Sequence, residues 1–130
     1  MIDSVYFLLI GTFFTHELDA VKRKEWRILP IFKQLPENIS ALLFIWIHIP
    51  LFTVVLWVEH LAIADNFRTG VAIFAVIHVG LHGLLHHHPA NAFKNLSSWL
   101  LILLTGFLGA IYLVLRFFDC IDCINSTLLG

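Results

Sequence analysis

Charge is scarce in this chain. Only 13% of its 130 residues are Asp, Glu, Lys or Arg, about half the roughly 25% found in a soluble domain. The formal net charge of −1 excludes nucleic-acid binding through bulk positive charge. Two cysteines are too few for a disulfide framework. The single methionine, Met1, leaves no thioether cluster for a soft metal. The opening Met1-Ile2-Asp3-Ser4 lacks the basic stretch of a secretory signal, so the first apolar run is expected to be retained. Internal repeats and low-complexity segments are missing as well.

Apolar residues fill the space that charge leaves. They make up 59% of the sequence, with a mean hydropathy of +0.88. A membrane helix needs about 20 mostly apolar residues, and four windows supply them, near 3–21, 39–62, 67–86 and 96–118. Short breaks separate the windows, and irregular backbone cannot face hydrocarbon. The sequence therefore predicts an all-α integral membrane protein, one domain over residues 1–130, built as a four-transmembrane-helix bundle with up-down topology.

Lysine and arginine set the orientation of such a protein. Lys22, Arg23, Lys24, Arg27 and Lys33 crowd the first loop and Lys94 joins the third, whereas Arg68 and Arg116 stand at the other side with Asp3, Glu59, Asp65, Asp119 and Asp122. This pattern predicts a bacterial inner-membrane protein with both termini outside and the basic loop 22–36 cytoplasmic. Trp26 and Trp99 then fall near the inner interface, and Tyr6, Trp57 and Tyr112 near the outer one, as interfacial belts require. The stretch 25–35 mixes aromatic, aliphatic and basic residues, which fits a segment in the headgroup plane or an ordinary tight loop.

Ionisable residues within spans are costly and mark functional sites. The first span ends Thr15-His16-Glu17-Leu18-Asp19-Ala20. At about 100° per residue His16 and Asp19 share a face, while Glu17 points about 100° away. The third span carries His78, His82 and His86 at i, i+4, i+8, a stripe that drifts only about 80° around the axis. His48 lies on the second span, two residues before Pro50. At about 1.5 Å per residue, His16, His48, His78 and His82 fall within a slab of about 6–8 Å in the inner half of the membrane.

Imidazole is the commonest transition-metal ligand, and carboxylates join it or orient its second nitrogen. The mixed set suits Fe, Zn or Mn better than Cu(I). His16, His78 and His82 are the leading metal-ligand candidates, followed by His86, with His48 as a further cofactor-binding residue. Glu17 and Asp19 are the candidate catalytic residues, as ligand, orienting group or proton acceptor. The competing reading is that the histidines only hydrogen-bond across helices, a weak glue in membranes.

Other features are read more plainly. Glu59 and His60 form an interfacial, hydrated pair. Pro50 kinks the second span and frees a carbonyl. Thr105-Gly106-Phe107-Leu108-Gly109-Ala110 makes a small-residue face for close helix approach. Cys120-Ile121-Asp122-Cys123 is a CxxC without the strand-to-helix setting of a thioredoxin motif.

With Thr15-His16-Glu17-Leu18-Asp19-Ala20, then Glu25-Trp26-Arg27, and a later His78 to His82 pair, the chain resembles an uncharacterised family of small four-helix bacterial membrane proteins. It is also similar in plan to the HXXEE membrane family, although Asp19 and Ala20 stand where that motif has its two glutamates. Neither family implies an activity. The His78–His82 and His86-His87 pairs echo the boxes of membrane fatty-acid hydroxylases and desaturases, but the third box is missing.

These residues support a metal-dependent membrane enzyme, an oxidoreductase or hydrolase acting on a small hydrophobic, lipid-like substrate. A b-type haem or pigment protein is the first alternative, with His48 and His78 or His82 as axial ligands. An accessory subunit of a larger membrane complex, or a homo-oligomeric transporter, would use the same residues for packing or conduction.

Overall fold

The computed structural model describes residues 1–32 and 34–129, apart from the side chains at 122 and 125–129. Lys33 of the basic loop and the side chain of Asp122 lie outside the described residues. The described chain is all-α: α1 (Ile2–Lys22), a 3-10 turn (Glu25–Arg27), α2 (Glu37–Val58), α3 (Ala64–Leu84) and α4 (Leu96–Leu129).

Local chemistry sets the ends of these helices. Asp3 sits in the first turn of α1 and Lys22 in its last, each sign matching the helix dipole. Lys24 then adopts a left-handed conformation, φ 58° and ψ 45°, which stops the helix and turns the chain. Pro36 precedes α2 with an extended backbone, and Glu37 in the next position favours the N-terminus. Pro50 lies inside α2, which continues through it to Val58. Asn95 caps α4, its Oδ1 accepting from the Ser98 N–H at 2.7 Å.

α2, α3 and residues 96–121 of α4 are long and apolar enough to cross a membrane. α1 has similar length, but its second half holds His16, Glu17, Asp19 and Lys22. The outward side chains fit lipid contact: Trp46, Ile47, Ile49, Leu56 and Trp57 are all exposed on α2.

α4 packs closely on both α1 and α3, whereas α2 leans mainly on α1 and the 3-10 turn. The expected small-residue face lets α4 come close to α3. A Cβ built on Gly109 would lie 2.8 Å from the Ala72 carbonyl oxygen and 3.1 Å from the Ala75 Cβ, so only glycine lets α3 and α4 come together here.

Two apolar clusters stabilise the packing. One joins Tyr6, Leu9, Ile10, Ala72, Ala75, Leu108 and Tyr112; the other joins Ala20, Trp26, Phe44, Phe93 and Ile102. Tyr6, Trp26 and Tyr112, expected near the membrane boundaries, have their side chains buried within the protein. The tyrosine rings meet at 5.6 Å, and Arg68 lies 5.0 Å over the Tyr6 ring. Its guanidinium also reaches Glu59 Oε2 at 2.8 Å and Asp3 Oδ1 at 2.7 Å. Glu59 thus has Arg68 as its partner, where the sequence suggested a hydrated pair with His60.

Candidate metal centre

His16 lies on α1 between residues of the two core clusters, and no part of it is exposed. His78 and His82 come from successive turns of α3, as their i, i+4 spacing dictates. The three imidazoles converge through one atom each. His78 Nε2 stands 2.9 Å from His16 Nε2 and 3.0 Å from His82 Nε2, and the three candidate ligand atoms all fall within 4.8 Å of one another.

Hydrogen bonds alone satisfy this arrangement poorly. A neutral imidazole carries one N–H, so the proton at one Nε2 can serve only one of the facing lone pairs. Among the described residues His16 Nδ1 is also buried without a hydrogen-bond partner, a costly state for a polar atom. A metal ion uses converging lone pairs directly. Imidazole nitrogens about 2.0–2.1 Å from an ion at tetrahedral angles stand about 3.3 Å apart, close to the 2.9 and 3.0 Å that separate His78 Nε2 from its two neighbours.

Aromatic rings wall the triad. Phe13 lies 5.7 Å from His78, Phe74 5.4 Å from His78 and Phe93 4.8 Å from His82, between ring centroids. Phe93 is held by the connection between α3 and α4: its N–H donates to Asn91 Oδ1 at 2.8 Å, and its carbonyl accepts from Trp99 Nε1 at 3.0 Å. Asn91 in turn donates to the Leu85 carbonyl at 2.9 Å.

Glu25 is a site residue that the sequence reading did not single out. Its Oε1 stands 3.8 Å from His82 Nε2. Burial, reinforced by the charge of Glu17, pushes its carboxyl up to about 7. The clue is an acid directly after the basic run Lys22-Arg23-Lys24, where Lys24 is left-handed and ends the first helix. Glu25, His78 and His82 share an apolar cavity of about 350 Å³ with Leu29, Phe74 and Leu81.

The other candidates have separate partners. Glu17 Oε2 meets His48 Nε2 at 3.0 Å, joining α1 to α2. His48 Nδ1 lies 2.6 Å from the Phe44 carbonyl oxygen, which can only accept, so Nδ1 carries a proton. Asp19 accepts from the Ser98 hydroxyl and from Arg23 Nε at 3.3 Å, tying α1 to the start of α4. His86 falls beyond the end of α3 at Leu84, and its ring packs 5.5 Å from Trp99. Cys120 and Cys123 lie exposed on α4.

Residues 2–119 match the family of unknown function DUF6713. The chain belongs to that family. Membership agrees with the expectation of an uncharacterised family and supplies no activity; it does not bear on the HXXEE plan. No match is found among curated proteins or among solved structures. For this DUF6713 member, the functional reading therefore rests on the site itself.

Proposed function

We propose that this protein spans a bacterial inner membrane four times, up and down, and holds one Fe, Zn or Mn ion on His16, His78 and His82. The convergence of three Nε2 atoms at the meeting of α1 and α3 carries this reading. α1 is taken as the fourth span because its polar residues turn inward, onto His78, His48 and Ser98. Both termini face outward, and the basic loop 22–36 faces the cytoplasm.

The chemistry we favour is a metal-assisted reaction on a lipid-like molecule, oxidative or hydrolytic. Bound at the triad, the ion would supply Lewis-acid character toward a substrate oxygen. The apolar cavity beside His78 and His82 offers the substrate space. Glu25 is the carboxylate placed to hold a proton beside it, since Glu17 and Asp19 are engaged by His48 and Ser98. The haem alternative has less behind it: His48 Nε2 is turned to Glu17, and the Nε2 atoms of His78 and His82 face one another.

Chelator-stripped protein in detergent tests this reading. Returning Zn, Mn or Fe(II) at about 100-fold over Kd should stabilise the fold by about 2.7 kcal/mol, seen as a rise in melting temperature. His82→Ala should abolish the rise. An identical rise in His82→Ala would place the binding elsewhere and reject the proposal.

A further inference from the structure

A second cavity, of about 450 Å³, lies between α1, α2 and α3. Its walls include Ile10, Phe14, Phe52, Val55, Phe67 and Val71, and Phe14 stacks on Phe52 at 4.0 Å between centroids. Gly70 helps keep it open, because a Cβ built there would meet nothing within 4 Å. Phe13 and Phe74 line this cavity and also contact His78, so two rings form a shared wall with the triad. Among the lining residues only Glu17 is ionisable.

The chemistry of that one polar group selects a ligand. Glu17 Oε2 is engaged with His48, and no hydrogen bond to Oε1 occurs among the described residues. Glu17 is already paired with His48, so the lining offers no free counter-ion to an ammonium head and repels a carboxylate head in an apolar space. A plain hydrocarbon would leave Oε1 without a donor. A hydroxyl head supplies the donor and adds no charge. At about 30 Å³ per heavy atom in liquid packing, the space holds about fifteen heavy atoms.

We infer that this cavity binds a single-chain lipid alcohol, straight or isoprenoid, whose O–H donates to Glu17 Oε1 while its chain lies among the rings of α1, α2 and α3. The inference rests on the membrane reading above and concerns a cavity distinct from the one beside His78 and His82. Its test does not require the metal.

The test uses the full chain in phosphatidylcholine nanodiscs, with a diazirine-bearing analogue of 1-tetradecanol as photolabel. Labelled peptides should map to the cavity walls, and unlabelled 1-tetradecanol should compete about tenfold better than tetradecane, myristic acid or tetradecylamine. Gly70→Phe, which fills the space, should remove the labelling while leaving metal content unchanged. Glu17→Ala should erase the preference for the alcohol. Equal competition by tetradecane, stronger competition by the acid or amine, or unchanged labelling of Gly70→Phe would each overturn the inference. If the alcohol preference persists in protein that never binds metal, only the metal proposal falls.

Discussion

His16 and His78 meet Nε2 to Nε2 at 2.9 Å although they stand 62 positions apart in the chain. The contact joins α1, the most polar of the helices, to α3, and His82 completes the group from the next turn. The site therefore depends on how two helices face one another.

His78→Ala and His86→Ala separate the triad from the rest of the stripe. The first should lose the bound metal; the second should keep it, because His86 lies past α3 against Trp99. Metal stoichiometry by atomic emission distinguishes them. Equal loss in both would mean that the α3 terminus rearranges to bring His86 in.

The Glu17–His48 contact should register as a coupling between the two helices. Polar pairs in membranes average about 0.6 kcal/mol in double-mutant cycles and reach about 1.7. A cycle of Glu17→Ala and His48→Ala should fall at the upper end, since each single variant strands a largely buried partner. Reversible unfolding in mixed micelles measures it. A coupling indistinguishable from zero would show that the pair does not hold α2 in place.

Asp19 is expected to act on stability. Its carboxylate takes the Ser98 hydroxyl and Arg23, so Asp19→Ala should cost about 1–3 kcal/mol by leaving a buried donor unpaired. The remaining protein should bind metal at the wild-type ratio. A variant of normal stability without metal would instead make Asp19 part of the site.

Two glycines should respond in opposite directions. Gly109→Ala sets a methyl against the Ala72 carbonyl, a backbone atom that cannot swing away, and overpacking of this kind costs about 1–3 kcal/mol. Gly80→Ala meets nothing within 4 Å and should gain up to about 1 kcal/mol from helix propensity. Thermal unfolding of the two variants side by side checks the contrast. If both gain stability, α3 and α4 do not approach as closely as described.

Much of this site could be read from spacing alone. The i, i+4 pair His78 and His82 needs only a helix, and counting along the chain puts His16 at a level on α1 that matches them. The partners did not follow, because they depend on rotation of one helix against another. Asp19 shares a face with His16 but sits about 4.5 Å further along the axis, where it meets the start of α4 and not the triad. His86 fitted the stripe only while α3 was assumed to run on; the helix ends at Leu84. Glu25 lay hidden in a segment that read as loop or headgroup helix. Its position depends on the left-handed Lys24, a conformation that a lysine does not announce. The cavity beside Glu17 was invisible, since it arises from α2 standing away from α3.

Elemental analysis and an absorption spectrum on one preparation test the central claim most directly. Wild-type protein purified without added metal should carry about one equivalent of Fe, Zn or Mn, and His16→Ala and His82→Ala should carry almost none while remaining folded. Folded wild-type protein without metal, or a Soret band from bound haem, would contradict the account.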